Sequence, residues 1–119
     1  MAYGFCFLSG VYGIVERHHI FGGARRDLSE RYGLVVELSH GKHQEDRDSA
    51  HRCGETADKL HRYGQRKAML EQGWTVEEFR LVFGRNYLDE DELADLEAER
   101  AGVMSADSRF QVLAGALPF

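Results

Sequence analysis

Proline, cysteine and long hydrophobic runs are all scarce in this chain of 119 residues. Its one proline, Pro118, argues against a proline-rich disordered linker, and an apolar fraction of 43% suffices for a buried core. The longest apolar runs span about four residues, far below the roughly 20 that a membrane-spanning helix needs, so we expect no membrane association. No basic residue precedes the short apolar stretch of the opening MAYGFCFLSG, which argues against a signal peptide.

The two cysteines, Cys6 and Cys53, are too few for a disulfide framework. We therefore expect reduced thiols and a cytoplasmic location. A chain of this length most simply forms one domain with an appended segment.

The negative charge of the chain is concentrated near its C-terminal end. Residues 1–88 carry 13 Lys and Arg against 12 Asp and Glu, whereas residues 89–119 carry 2 against 8. The body is therefore almost neutral, with local basic clusters, and the net charge of −5 does not exclude a nucleic-acid partner.

The hydrophobic pattern predicts two strands, at about 14–21 and 33–39, separated by a long loop and preceded by a loop or short hairpin. From about 49 to 71 the apolar residues recur at helical spacing. Gly54 and Gly64 weaken that pattern and leave open two shorter helices instead of one.

Two further helices are predicted downstream. A capping box at 75–78 predicts a helix over 76–83 that stops at Gly84. An acidic helix follows at about 90–101, with Gly102 just past its end. The order of strand, long loop, strand, loop and helices predicts a small α+β domain.

Four of the six histidines occupy positions that can converge in such a fold. The pair His18 and His19 ends the first strand, His43 follows the second strand, and His51 opens the helix. Neutral imidazole binds divalent ions well, and an imidazole left free can act as a base. Adjacent strand residues point to opposite faces, so His18 and His19 would serve different roles. The remaining two, His40 and His61, are interpreted as surface or packed residues.

The segment HHIFGG, followed by a loop, YGLVVELS and two later histidines, resembles the HNH nucleases that have a ββα-metal finger. The similarity is closest to small phage and prophage HNH proteins of the recombination-associated kind, and it extends to EEFRLVFGRNYL. It covers roughly residues 5–88. It implies an HNH-like ββα-metal domain over 1–88, with a two-stranded hairpin and a helix, and an acidic helical extension over 89–119.

The resemblance also implies roles for individual residues in the hydrolysis of DNA phosphodiester bonds. The metal ligands would be His18, His43 and His51, and the base that takes a proton from water would be His19. One divalent ion is implied, with Mg²⁺ or Mn²⁺ expected and Ni²⁺ or Zn²⁺ also suited. The arginines that can hold phosphate, or simply form solvated surface charges, are Arg17, Arg25 and Arg26. A phage or prophage origin places the protein in the cytoplasm of a bacterial host.

Two features depart from the family pattern. The structural zinc of the family has four soft ligands in two pairs. This chain has Cys6 and Ser9 in place of the first pair and Ser39 and Lys42 in place of the second, so no structural zinc is expected. The asparagine that orients the base in many HNH enzymes is also missing, because the only asparagine is Asn86.

The sequence therefore leaves two functions open. The first is a metal-dependent DNA endonuclease or nickase. The second is a binding or inhibitor protein on an HNH-like scaffold, for example an anti-CRISPR, in which the acidic segment 89–99 mimics DNA phosphate or blocks a basic groove of a host or phage protein. The same segment can instead cover the protein's own DNA cleft, or be a solvated helix that keeps the protein soluble.

Overall fold

The computed structural model of the protein describes the backbone of residues 2–113 and the side chains of residues 2–102. The described chain divides into two compact units, Met1–Tyr87 and Leu88–Phe119. The end of the predicted 89–119 extension, after residue 113, lies outside the described residues. Among the described helices, none has the length and apolar character needed to cross a membrane.

The first unit is built on a three-stranded antiparallel sheet with the order β1-β2-β3. Its strands are β1 (Ala2–Phe5), β2 (Tyr12–His19) and β3 (Val35–Leu38). The α+β class predicted from the sequence is confirmed, but the sheet has three strands instead of two because the opening segment forms a hairpin with β2.

The connection between β2 and β3, which the sequence predicts as a polar, irregular loop that can contain one helical turn, has more helix than that. It contains a single 3-10 turn, Gly23–Arg25, and the short helix α1 (Arg26–Arg31). Buried Ser29 of α1 ties this connection to the end of β2, because its hydroxyl accepts a hydrogen bond from the Phe21 N–H (3.0 Å) and donates one to the Phe21 carbonyl (2.8 Å).

Three longer helices follow: α2 (Gly54–Gln72), α3 (Val76–Phe83) and α4 (Glu90–Leu113). The predicted capping box and the end of α3 at Gly84 are confirmed. The predicted end of α4 before Gly102 is wrong, since the helix continues through that residue. A glycine inside a helix costs only about 1 kcal/mol and does not by itself end it.

The core of the first unit forms where the chain leaves β2 and packs against α2 and α3. Ile20 and Phe21 are both 2% exposed, and the Phe21 ring lies 4.7 Å from the ring of Phe83 between centroids. On the α2 side, a Cβ built on Gly64 would lie only 2.6 Å from Cγ2 of Ile20 and 2.9 Å from Cε2 of Phe21. Gly64 therefore allows the close approach of α2, which is one continuous helix and not two.

We expect Gly64→Ala to lower the free energy of unfolding by about 1–2 kcal/mol, because overpacking outweighs the helix propensity that alanine gains. The matched control is Gly54→Ala in the same helix, where a Cβ meets nothing within 4 Å. Urea unfolding of both variants and the wild type measures the difference. Equal stability of the two variants would contradict this account of the packing.

Candidate metal centre

Three histidine side chains from separate parts of the chain meet beside the end of β2. His18 lies on β2, His43 on a short π-helical segment, Gly41–Glu45, and His51 in the turn before α2. One ring nitrogen from each histidine lies within 4.8 Å of the other two, so the group can hold a metal ion. Nε2 of His43 and Nε2 of His51 are 3.0 Å apart.

His51 does not open the helix, as the sequence suggested, but precedes α2 by a separate turn. Buried Ser49 stabilises this turn, because its hydroxyl accepts from the Arg52 N–H at 3.2 Å and its carbonyl accepts from the Cys53 N–H at 2.9 Å. Cys53 then adopts an extended conformation, and the helix begins only at Gly54.

The pKa of His18 and the hydrogen bond of His43 suit the binding of a cation. Burial, followed by the charges of nearby His43 and His51, lowers the pKa of His18 to about 4, so this imidazole is neutral at pH 7. Nδ1 of His43 lies 2.8 Å from Oε1 of Glu16, and this contact assigns the proton to Nδ1 and leaves the Nε2 lone pair facing His51. Two nitrogen atoms that bind the same ion at about 2.0–2.1 Å must lie close to each other. The distance of 3.0 Å between Nε2 of His43 and Nε2 of His51 is of that size.

Glu16 is a residue that the sequence reasoning missed. Its carboxylate contacts Nδ1 of His43 and, at 2.9 Å, Nδ1 of His40. These hydrogen bonds, from His43 first and then from His40, lower the pKa of Glu16, and Glu16 in turn raises the pKa of His40. Carboxylates that hold the second nitrogen of a metal-binding histidine orient the ring and raise its basicity. The alternation of side chains along a strand could have indicated Glu16, because it puts Glu16 and His18 on the same face of β2.

His19 is not a member of the three-histidine cluster, and it contacts Glu30 of α1. Its Nε2 lies 2.6 Å from Oε2 of Glu30, and Nη2 of Arg17 lies 2.5 Å from the same oxygen. The hydrogen bond with Arg17, followed by the one with His19, lowers the pKa of Glu30, which is therefore ionised. An ionised carboxylate only accepts hydrogen bonds, so Nε2 of His19 is the donor in this contact, and Nδ1 keeps its lone pair when the ring carries a single proton.

A cavity of about 250 Å³ connects these groups. Its polar walls are formed by two arginines and four histidines, namely Arg17, Arg26, His18, His19, His43 and His51. Arg25, the third predicted phosphate ligand, is not among the described residues that line it; its guanidinium lies against Gly84 instead. Two of the three predicted arginines therefore border the histidines.

A second cavity of about 330 Å³ shares His18, His19 and His51 with the first. The side chains that line only this second cavity are uncharged, namely Ile20, Ala50, Ala57 and His61. The ring of His61 stacks on Phe21 with centroids 5.3 Å apart, and burial lowers its pKa. This cavity therefore has room for an uncharged group next to the histidine cluster.

Cys6, Ser9 and Ser39, which stand where the HNH family has ligands of a structural zinc, lie close together. Cys6 is 1% exposed. Burial raises the pKa of its thiol, but hydrogen bonds with the side chains and backbones of Ser9 and Ser39 outweigh that effect and hold the pKa at about 7. The group offers one thiol and two hydroxyls, and hydroxyls are poor zinc ligands.

No family model matches the chain, and no curated protein or solved structure matches it. What the structure shows is a small α+β domain with a histidine cluster that can hold a metal ion.

Proposed function

We propose that the protein is a divalent-metal-dependent HNH endonuclease or nickase of phage or prophage origin that hydrolyses DNA phosphodiester bonds. The observation that carries this proposal is the cavity that joins a three-histidine cluster to a fourth histidine held by a carboxylate. Under this proposal β2, β3 and α2 form the ββα-metal finger, with the site enclosed between them.

His18, His43 and His51 would hold one divalent ion, and Glu16 would orient the ring of His43. When bound, such an ion polarises a phosphate oxygen and neutralises the charge that develops on the leaving oxygen. We expect Mg²⁺ or Mn²⁺ to support the reaction. Imidazole ligands also suit Ni²⁺ and Zn²⁺, so activity has to be compared across several ions.

His19 would act as the general base. Glu30 accepts the hydrogen bond from Nε2–H of His19. Nδ1, which has the lone pair, would therefore be the atom that takes a proton from water. The carboxylate of Glu30 would then stabilise the imidazolium that forms. Glu30 would thus replace the asparagine that orients the base in many HNH enzymes and that this chain does not have at the corresponding position.

The two arginines that border the cavity would bind the phosphate. Arg26 is exposed and can form charge-assisted hydrogen bonds with phosphate oxygens. Arg17 forms an ion pair with Glu30, the residue that would orient His19, so Arg17 would connect the phosphate to that carboxylate. The second cavity, with its uncharged wall, would accept the sugar and base next to the cleaved bond.

Incubation of the purified protein with supercoiled plasmid and Mg²⁺, Mn²⁺ or Ni²⁺ tests this proposal. We expect conversion to nicked circular DNA with at least one of the ions and no conversion in EDTA. Protein that is folded by circular dichroism but leaves the plasmid intact with every ion would contradict a nuclease function.

A second candidate function rests on the acidic segment 89–99, which comprises Asp89 and the first part of α4 and has mostly exposed acidic side chains. Such a surface can mimic the charge of DNA, as an inhibitor of a nuclease such as an anti-CRISPR protein would require. Affinity capture from a bacterial host lysate distinguishes the two functions. A single stoichiometric nuclease partner, bound by a protein that does not cut DNA, would favour the inhibitor.

A further inference from the structure

An apolar surface is exposed on the hairpin formed by β1 and β2. The register places Tyr3 opposite Ile14 and Phe5 opposite Tyr12, so these four side chains share one face of the hairpin. They are 65%, 45%, 67% and 60% exposed, respectively, and the rings of Phe5 and Tyr12 touch with centroids 5.1 Å apart. We call these four residues the hairpin face.

Phe7 and Val11, in the turn of the hairpin, are exposed as well, and the ring of Phe7 lies 4.8 Å from that of Tyr63 on α2 between centroids. Aromatic side chains bury about 150–250 Å² each, so the four residues of the hairpin face expose roughly 500 Å². Two such faces together would bury about 1,000 Å², which is the area that a specific interface needs. Single exposed apolar residues need no explanation, but a contiguous patch of this size marks an interaction surface.

The charge of the segment indicates what kind of partner fits. Residues 2–14 contain no Lys, Arg, Asp or Glu. Surfaces that bind single-stranded nucleic acid by stacking also carry positive charge along the backbone path, and this segment offers none. An uncharged apolar face is suited to another apolar protein surface, and two copies of the face can meet without like-charge repulsion.

We propose that the hairpin face packs against the same face of a second copy of this chain and forms a two-fold symmetric dimer. The two sheets would stack face to face, about 10 Å apart, as the layers of a β-sandwich do. Phe5 and Tyr12 would form the centre of the interface. Tyr12 and Ile14 lie on the same face of β2 as Glu16 and His18. The proposal nevertheless does not rest on the nuclease function, because the four residues are not among the proposed metal ligands and the test measures only the mass of the protein in solution.

Sedimentation velocity of the full chain over about 1–100 µM tests the dimer. We expect a species of twice the 13.6 kDa chain mass for the wild type. Phe5→Lys should raise the dissociation constant at least about tenfold, because a charge is then buried against an apolar surface. Phe5→Glu should do the same, and a mixture of the two variants should recover a dimer through the opposite charges.

The matched control is Leu81→Lys on α3, since Leu81 is 85% exposed but lies outside the hairpin. This variant should dimerise like the wild type. Should circular dichroism show that Phe5→Lys is misfolded, Tyr12→Lys replaces it. A wild type that stays at 13.6 kDa throughout, or equal weakening by Leu81→Lys, would overturn the proposal. Monomeric wild type that loses DNA affinity on Phe5→Lys would assign the face to nucleic acid instead.

Discussion

Replacement of His19 by alanine is expected to lower the rate of plasmid nicking at least about 100-fold without loss of metal binding, because general bases contribute about 10²–10⁴-fold to catalysis. His19 is not part of the three-histidine cluster, and its Nε2 is engaged by Glu30. Its removal therefore takes away the proton acceptor and leaves all three proposed ligands in place.

Two measurements on the same preparation check this prediction. Titration calorimetry with Mn²⁺ or Ni²⁺ should give the wild-type dissociation constant for His19→Ala, while the nicking rate falls. Glu30→Ala should also slow nicking at an unchanged metal affinity, since His19 would then lose the partner that sets its proton on Nε2. Wild-type nicking by His19→Ala would show that another group is the base.

Replacement of His51 by alanine is expected to remove metal binding and nicking together. Among the three proposed ligands His51 is the exposed one, so its substitution should disturb the fold least. A ligand that binds only the folded state stabilises it by about 2.7 kcal/mol at a concentration of 100 times its Kd. We expect the wild type to show this gain with added ion and His51→Ala to show almost none.

Thermal unfolding with and without Mn²⁺ or Ni²⁺ measures this difference. The matched histidine substitution is His40→Ala, because His40 is exposed and does not belong to the cluster of proposed ligands. It should retain most of the metal-dependent stabilisation. If His51→Ala retained the same stabilisation as the wild type, the ion would bind elsewhere. The contrast with His19→Ala, which should lose only nicking, separates a ligand from a base.

Features that depend on neighbouring residues could be predicted from the sequence. The helix over 76–83 was predicted with its correct bounds, because the capping box and Gly84 act within a few residues of each helix end. The α+β class followed from strand and helix periodicity. The histidine cluster was anticipated from the positions of His18, His43 and His51 relative to strands and loops, together with the HNH resemblance.

Local pattern was a poor guide wherever a distant contact decides the conformation. Gly64 looked like a helix breaker, whereas in the structure it is the point at which α2 approaches Ile20 and Phe21. Arg25 looked equivalent to Arg26, but the turn Gly23–Arg25 directs its side chain to Gly84.

The sequence by itself determined the α+β class, the two ends of α3 and the histidines that form the cluster. These features depend on composition and on spacings of a few residues. Only the tertiary structure decided which carboxylates hold those imidazoles. Glu16 contacts His43 across 27 residues, and Glu30 contacts His19 across 11. Such pairs depend on strand register and on the placement of α1, which arise from packing of the whole unit and leave no signal at a fixed spacing in the chain.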